Sequence, residues 1–329
     1  MITLRRSWLP RIAIAVAIIA AALLQRTPSL QLIAGGALRA TEIVGERFPK
    51  TLIDPLDRRL SLPHAPLRIA SAVLAADEIL AQLIAPERMV AVTYLVDDRG
   101  ISNVAGVYAP RIARDHADAE ELLALDPDLL IVAGYTEATS VRMLLSAGVP
   151  LLRMANSQRI SDIEDNVRLL AAATGSEARG EQLIADMRAR LHAIAVAIAA
   201  QPRPRVLLYS LSGSTTGAHT LDDEALERAG GFNVMREMAV DGPTRISAEV
   251  AIGLQPEVIL LDVWGGDDDG AAVRQLLANP AWRDVPAVRN RRVYALAGAE
   301  NSTVTPYRVN GIERIARLLH PEAFADVHP

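Results

Sequence analysis

The sequence predicts an α/β protein with two lobes, each with a parallel-sheet core, and a single long α-helix between them. In residues 41–160 and again in residues 202–329, short apolar runs alternate with segments of helical spacing. Near-continuous apolar strands separated by helices are typical of parallel sheets that are covered on both faces. Residues 161–201 carry only helical spacing, so they separate the two alternating regions.

Residues 1–40 are typical of an export signal. Three arginines, the last of them Arg11, precede or border an apolar run from Ile12 to Leu24. This run is shorter than the ~20 residues of a membrane-spanning helix, and a basic stretch before a short apolar run favours a secretory signal peptide. We therefore expect export to the periplasm; an uncleaved membrane anchor is the alternative.

The first lobe is predicted over residues 41–160. Its strands are predicted at "RIASAV", "RMVAVTY", "PDLLIVAGY" and "VPLLRMA". Its helices are predicted at "AADEILAQLIA", "DAEELLALD" and "TSVRMLLSAG". Glycine and proline at the borders of these segments mark the turns between them.

The linker is predicted to be helical over residues 161–201. Its first segment starts with a capping pair, Ser161 and Glu164, and stops at Gly175. The second segment, Ser176 to Gln201, has apolar residues at intervals of three or four, which predicts one long helix. Those apolar residues are Leu183, Ile184, Met187, Leu191, Ile194 and Ile198.

The second lobe is predicted over residues 202–329. Its strands are predicted at "VLLYSL", "PEVILLDVW" and "RRVYALAG". Its helices are predicted at "DDEALERAGG", "SAEVAIGL", "AAVRQLLANPAW" and "PYRVNGIERIARLLHPE". The alternation of the first lobe is thus repeated after the linker.

Two stretches, one in each lobe, share a pattern: "EELLALDPDLLIV" and "AEVAIGLQPEVILL". In both, a glutamate (Glu120 or Glu249) is followed seven positions later by a proline, then by an acidic residue and an apolar run. The proline ends a helix, because the residue before a proline avoids the α region. We predict the same helix–turn–strand unit in both lobes. On these residues alone, the helix dipole explains a glutamate at the helix start.

The composition limits the possible functions. Half of the 329 residues are apolar, which is enough for two lobes. The net charge of −5 argues against a nucleic-acid-binding protein, which usually carries a basic face. The chain has no cysteine, which excludes disulfides, iron–sulfur clusters, thiol catalysis and a lipidated N-terminal cysteine. We expect a soluble periplasmic monomer that is not a lipoprotein.

Four phrases, in order around the long helix, resemble a known family. They are "LIDPLDRRLSLPHAPLRIASAVLAADEILAQL", "AEELLALDPDLLIV", "SAEVAIGLQPEVILL" and "LLANPAWRDVPAVRNRRVYAL". From about Phe48 onward, the chain is similar to the iron-siderophore/cobalamin (class III) periplasmic substrate-binding proteins of ABC importers. Two departures are Asp57, where the family usually has glycine, and Asp77, which precedes Glu78 where threonine is common.

The resemblance implies two Rossmann-like lobes joined by one rigid helix, with a metal chelate held in the cleft. The chelate would be a ferric siderophore, haem or cobalamin, delivered to the permease subunits of an ABC importer. The resemblance also implies that Glu120 and Glu249 dock onto arginines of the permease. One charge on each lobe would fix the orientation of docking more than it would raise affinity.

Candidate ligand-binding residues follow the predicted strands, because ligands of open α/β sheets lie beyond the carboxyl ends of the strands. The candidates are Tyr94, Tyr135, Asn156, Ser212, Gly213, Trp264 and Asn301. Tyrosine and tryptophan offer flat apolar faces with a polar tip, which suit a large chelate or corrin ring. Arg99 either faces an anionic chelate or is a solvated loop residue.

Neither a cofactor nor a metal bound directly by the protein is predicted. The six histidines (64, 116, 192, 219, 320 and 328) form no close pair of metal ligands, and "WGGDDDGAA" lacks the calcium-binding loop pattern. An α/β enzyme with its active site in the cleft is an alternative, but phosphate-binding and nucleophile-elbow motifs are missing. A membrane-anchored interaction protein is a third possibility if residues 1–40 are retained.

Overall fold

The computed structural model describes residues 42–53, 59–115, 118–136, 138–263 and 270–325. The predicted export signal, Trp264, His116 and His328 lie outside the described residues. Within these ranges, every helix is too short or too polar to cross a bilayer.

A small antiparallel sheet, which the sequence patterns did not predict, precedes the first lobe. Its strands are β1 (Glu42–Val44), β2 (Lys50–Ile53) and β3 (Arg59–Leu62). Leu52 and Leu62 pack into the core of the first lobe. The buried ammonium of Lys50 donates to the backbone oxygen of Ala172 at 3.1 Å and pairs with Glu177. The small sheet is therefore fastened to the helices of the linker.

The first lobe is a sheet of five parallel strands, in the order β6-β5-β4-β7-β8. The strands are β4 (Ile69–Ser71), β5 (Met89–Thr93), β6 (Ala113–Asp115), β7 (Leu129–Val132) and β8 (Leu151–Arg153). The helices are α1 (Leu74–Leu83), α2 (Ala119–Ala124) and α3 (Ala138–Ser146). Every residue of β7 is buried, as a continuous apolar strand in a covered parallel sheet requires. The predicted elements are present, and β6 is an addition.

Two helices, α4 (Ile160–Thr174) and α5 (Glu177–Ala197), connect the lobes as a hairpin. The end of α4 and the start of α5 lie in the core of the first lobe, with Val167 and Ile184 as examples. The start of α4 and the end of α5 lie in the core of the second lobe. The predicted long helix is α5, and α4 runs beside it. Because both cores share this hairpin, the division at residues 160 and 201 stays a proposal.

The predicted capping pair of α4 is wrong. The helix begins at Ile160, one residue before Ser161. The carboxylate of Asp162, rather than Glu164, accepts from the backbone N–H groups that precede the helix. Glu164 instead pairs with Arg188 of α5. The capping pattern involves few residues, and a helix that begins one residue earlier fits the same sequence equally well. The prediction therefore placed the start of α4 one residue too late.

Gly180 sets the spacing of the helical hairpin, since a Cβ atom there would lie 2.7 Å from Cβ of Ala171. We expect Gly180→Leu to lower the free energy of unfolding by about 1–3 kcal/mol through overpacking. Chemical denaturation measures this change. Ala189→Leu, on an exposed position of the same helix, is the control and should be close to neutral. Equal stability of the two variants would contradict a packing role for Gly180.

The second lobe contains a mixed sheet, in the order β12-β10-β9-β13-β14, with β11 also paired to β9. The strands are β9 (Arg205–Tyr209), β10 (Ser214–Thr216), β11 (Phe232–Asn233), β12 (Pro243–Arg245), β13 (Val258–Val263) and β14 (Val293–Ala297). Strands β11, β9, β13 and β14 are parallel, which agrees with the predicted core. The antiparallel strands β10 and β12 are short and polar, so no apolar run in the sequence predicted them.

In the described part of the second lobe, six helices flank this sheet or follow it. They are α6 (Leu221–Arg228), α7 (Ala248–Gly253), α8 (Ala271–Ala278), α9 (Pro286–Arg289), α10 (Gly298–Asn301) and α11 (Arg308–Leu319). Between α10 and α11 the chain returns to the first lobe, where Tyr307 packs against its core.

The two similar sequence stretches fold as the same unit. Each forms a helix of six residues, α2 or α7, followed by a central strand, β7 or β13. The residue before each proline, Asp126 or Gln255, has the same left-handed φ of 46°. The predicted helix–turn–strand unit is therefore present in both lobes.

The acidic residue after each proline joins two neighbouring strands. Asp128 accepts from the backbone N–H groups of Leu67 and Arg68, at 2.8 and 2.9 Å. Glu257 accepts from the backbone N–H of Arg205 at 2.8 Å. Arg68 immediately precedes β4, and Arg205 is the first residue of β9. Each carboxylate therefore helps to fix the register of a central strand pair.

An arginine at the start of the neighbouring strand makes the same contact in both lobes. The guanidinium of Arg68 donates to the backbone oxygen of Leu125 at 2.5 Å, and that of Arg205 donates to Leu254 at 2.8 Å. Each arginine thus satisfies a carbonyl at the carboxyl end of a short helix. The repeated pattern encodes the same structural joint in both lobes, whatever role its glutamates have.

Candidate ligand-binding cleft

A cavity of about 390 Å³ lies between the lobes, within the roughly 300–1,000 Å³ range of small-molecule sites. Its first-lobe wall is formed where strands β4, β5, β7 and β8 end. Its other walls are Gly298 and residues 302–305 of the second lobe and Asn166 of α4. The carboxyl ends of parallel strands are where open α/β sheets bind ligands, so this cavity is the candidate site.

The lining combines an apolar floor with hydroxyl and amide groups. The polar lining residues are Glu78, Thr93, Tyr135, Asn156, Ser157, Asn166, Ser302, Thr303 and Thr305. Among the described residues, the lining contains no lysine, arginine or histidine. Glu78 is the charged side chain of the lining, so the described part of the cavity carries no positive charge to neutralise an anion.

Glu78 is the main residue that the sequence analysis missed. It lies on α1, is 1% exposed, and its carboxylate accepts four hydrogen bonds. Two of the donors are Thr303 and Thr305, in the polar run "NSTVT" that follows β14. That run is the only sequence signal for this wall, and its partner on α1 lies more than 220 residues earlier.

Asp77, beside Glu78, is completely buried behind the cavity wall. Its Oδ2 accepts from the backbone N–H and the hydroxyl of Thr93, at 3.0 and 2.9 Å, while Oδ1 has no hydrogen-bond partner. Burial raises the pKa of the Asp77 carboxyl to about 8, against the lowering effect of the Thr93 hydrogen bonds. The hydroxyl of Tyr108 donates to the backbone oxygen of Asp77 at 2.6 Å, and burial raises the pKa of this tyrosine as well.

The structure brings two of the predicted ligand-binding residues together at the cavity. Tyr135, 78% exposed at its mouth, and Asn156 both line it. Tyr94 is 50% exposed, and its neighbours Thr93 and Leu95 line the cavity instead. Whether these side chains contact a ligand stays a prediction.

The remaining predicted residues lie elsewhere. Asn301 is 3% exposed, and its amide lies 3.3 Å from Oδ1 of Asp262, so it supports the wall from behind. Ser212 is exposed in the turn between β9 and β10, outside the cavity lining, and its hydroxyl lies 2.7 Å from that of Ser210. Gly213 is in the same turn, and Trp264 lies outside the described residues.

Glu120 and Glu249 occupy equivalent exposed positions. Each is the second residue of its helix, after an N-cap residue (Asp118 or Ser247) whose side chain accepts from the first turn. A helix that leads back to a parallel strand starts near the carboxyl edge of the sheet, so both glutamates lie on the cleft side of their lobes. A hydrogen bond from Ser247 lowers the pKa of Glu249.

The comparisons with known proteins bear on this geometry. Residues 69–299, which include the hairpin and most of both lobes, match the periplasmic binding protein family. The chain belongs to this family. The predicted resemblance to substrate-binding proteins of ABC importers and the two-lobed fold are thereby confirmed.

Three relatives illustrate the match. An uncharacterized ABC transporter substrate-binding lipoprotein of Bacillus subtilis, YvrC, is 23% identical, covering 85% of this chain and 88% of that protein. A cobalamin-binding protein of Halobacterium salinarum is 25% identical, covering 83% of this chain and 74% of that protein. The structure of the periplasmic heme-binding protein RhuT from Roseiflexus sp. is 26% identical with a TM-score of 0.65, covering 78% of this chain and 98% of that one.

Other charged groups of this binding protein lie apart from the cavity. Arg99 is exposed in the loop before Ile101, and Ile101 lines the cavity. His219 is exposed and lies 2.9 Å from Asp241, whereas burial lowers the pKa of His320. Over the described ranges, no three histidine or acidic side chains converge as a metal site.

Proposed function

We propose that this binding protein captures a corrinoid-type metal chelate, without strong net negative charge, in the cleft and delivers it to an ABC permease. The observation that carries the proposal is the composition of the cavity lining. It offers hydroxyls, amides, an apolar floor and one carboxylate, with no cationic side chain among the described residues. The amide-rich rim of a corrinoid would find hydrogen-bond partners there, and its ring would find apolar surface.

Anionic ligands fit the same lining less well. A buried negative charge is costly unless a cation or several hydrogen-bond donors compensate for it. In the described part of the cavity, an anionic siderophore or an oxyanion would meet Glu78 and no basic side chain. The cobalamin-binding relative, 25% identical to this chain, supports the corrinoid.

Haem is the second candidate, since the heme-binding neighbour is 26% identical. The propionates of haem call for a positive partner. Arg99, two residues before the lining residue Ile101, is the described residue whose position in the sequence best suits that role. Loss of haemin binding in Arg99→Ala would favour this candidate over the corrinoid.

A thermal-shift screen tests the ligand class. We expect cyanocobalamin to raise the melting temperature, with haemin, a ferric tricatecholate siderophore and molybdate giving little change. At a ligand concentration of 100 times Kd, binding stabilises the folded state by about 2.7 kcal/mol. The chelate should be recovered unchanged, because the proposed activity is binding without turnover. A shift with the anionic siderophore but not with the corrinoid would contradict the proposal.

Tyr135 is the exposed aromatic residue of the cavity lining, so its ring is placed to cover one face of a bound chelate. We expect Tyr135→Ala to weaken chelate binding about tenfold, which corresponds to 1.4 kcal/mol of lost contact. Calorimetric titration measures the change. Tyr94→Ala, which removes an exposed ring outside the lining, should have the smaller effect. Equal losses in both variants would mean that the ligand extends over both rings.

Delivery is proposed to depend on Glu120 and Glu249, with the protein acting as a periplasmic monomer. The Bacillus relative is named a lipoprotein. A cysteine-linked lipid has no attachment residue among these 329 residues, so we propose export through the N-terminal segment and release by cleavage. Intact-mass measurement of the mature protein tests this: retention of Met1 on membrane-bound protein would contradict it.

A further inference from the structure

The carboxylate of Glu78 is shared between the two lobes. Its Oε1 accepts from the backbone N–H and the side-chain amide of Asn103, in the first lobe, at 2.8 and 3.0 Å. Its Oε2 accepts from the hydroxyls of Thr303 and Thr305, in the second lobe, at 2.8 and 2.6 Å. Each lobe therefore supplies two of the four donors that compensate for this buried charge.

Neighbouring groups extend this connection. The side-chain amide of Asn103 also donates to the backbone oxygen of Ala299 at 2.8 Å. The backbone N–H of Ala299 donates in turn to the backbone oxygen of Gly100 at 2.9 Å. We call this set of residues the seam: Glu78, Gly100, Asn103, Ala299, Thr303 and Thr305.

The seam is also a wall of the ligand cavity. Glu78, Thr303 and Thr305 line the cavity, and so do Ile101 and Gly298, the neighbours of seam residues. A separation of the lobes at this wall would leave a buried carboxylate without two of its donors. Breaking the hydrogen bonds of a buried charge is strongly unfavourable, so the seam resists opening even when the cavity is empty.

We propose that Glu78 is a positioning residue for ligand binding, which holds the lobes at the binding width before a ligand arrives. The helical hairpin connects the lobes at the back of the cleft, and the seam fixes them along one side. This role goes beyond the proposed function and does not depend on which chelate is bound. When the cavity is already formed, ligand binding does not have to offset the free energy of ordering the two lobes, so the affinity is higher.

Distance measurements between spin labels on the full mature protein test the proposal without any ligand. The chain has no cysteine, so Met143→Cys on α3 and Val250→Cys on α7, both exposed, place one label on each lobe. We expect one narrow distance distribution in the parent. Glu78→Ala should broaden it or shift it to longer distances. Glu78→Gln should restore most of the narrow distribution, because the amide can accept from Asn103 and donate to the threonine hydroxyls.

Asp223→Asn is the matched control. Asp223 is 4% exposed and also accepts four hydrogen bonds, from His219, Asn233 and Arg236, but all of them lie within the second lobe. This variant should lower the melting temperature and leave the distance distribution as in the parent. A parental distribution in folded Glu78→Ala would overturn the proposal, and so would equal broadening in the control.

Two further variants keep the test decisive if Glu78→Ala does not fold. Thr303→Val and Thr305→Val each remove one second-lobe donor and retain the carboxylate. Broadening in both, and more of it in the double variant, would support the seam. Parental distributions in both single variants and in the double variant would show that the lobes are held by other contacts.

Discussion

The double variant Glu120→Lys, Glu249→Lys is expected to keep its fold and its ligand affinity and to lose delivery to the permease. Both side chains are exposed, so their loss leaves no buried group unpaired. Each contributes to its helix only the small, solvent-screened stabilisation of a charge near a helix terminus. Reversal should be worse than removal, because it adds repulsion against a cationic partner surface.

The measurement is stimulation of the cognate transporter's ATPase in proteoliposomes. We expect a loss of at least tenfold in the double reversal, with smaller losses in the two single alanine variants. High salt should shrink the difference, since exposed charges are screened over a Debye length of about 10 Å at 0.1 M. Unchanged melting temperature and chelate affinity would show that the loss arises at docking.

Glu87→Lys and Asp284→Lys are the matched controls for this experiment. Both carboxylates are well exposed, one in each lobe. Glu87 precedes β5, and Asp284 precedes α9 and β14, so both lie at the amino edge of the sheets, away from the cleft. If these reversals impair ATPase stimulation as much as the Glu120→Lys, Glu249→Lys variant does, stimulation depends on the net charge of the protein and not on the position of the two glutamates. Glu120 and Glu249 would then be ordinary helix-start residues.

The helices and central strands were predictable because they depend on local spacing. The apolar residues of α5 recur every three or four positions, and β7 and the first four residues of β13 are continuous apolar runs that follow a proline and an acidic residue. The repeated unit was predictable for the same reason, since its proline, its acidic residue and its strand are adjacent in the chain. Elements such as β10 and β12 carried no such signal, because each is only three residues long and has no run of apolar residues.

The candidate site was predictable only in part. Strand ends pointed to Tyr135 and Asn156 because topology brings the carboxyl ends of parallel strands to one edge. Glu78 escaped prediction because its role depends on Thr303 and Thr305, which lie more than 220 residues away in the sequence and meet it only through the tertiary fold. A helix position that is polar and buried looks like a solvent-facing one in the sequence, and only the tertiary contact distinguishes them.

Asp77 is expected to make the protein less stable as the pH rises from about 4 to about 8. Its pKa is raised by burial to about 8, from an ordinary value of 3.8. Between these values the unfolded chain releases the proton and the folded protein keeps it, so unfolding becomes more favourable with each pH unit. Above pH 8 both states are ionised and the loss stops. The total is at most roughly 6 kcal/mol, at about 1.4 kcal/mol for each unit of pKa shift.

Asp77→Asn isolates this effect, because the amide does not titrate and can still accept from the N–H and hydroxyl of Thr93. We expect the variant and the parent to differ little in free energy of unfolding at pH 4.5, and the variant to be the more stable by pH 8.5. Urea denaturation at half-unit intervals of pH gives the difference curve, in which contributions from other titrating groups cancel.

Asp97→Asn is the control, because the pKa of Asp97 is shifted in the opposite direction to that of Asp77. A hydrogen bond from Arg114 lowers the pKa of Asp97, so this carboxylate stabilises the protein above its unfolded pKa and loses that contribution as the pH falls. Its difference curve should be flat between pH 5 and 8.5 and change only at acidic pH. A flat curve for Asp77→Asn over the same range would mean that Asp77 is ionised in the folded protein, with its charge stabilised by Thr93 despite complete burial.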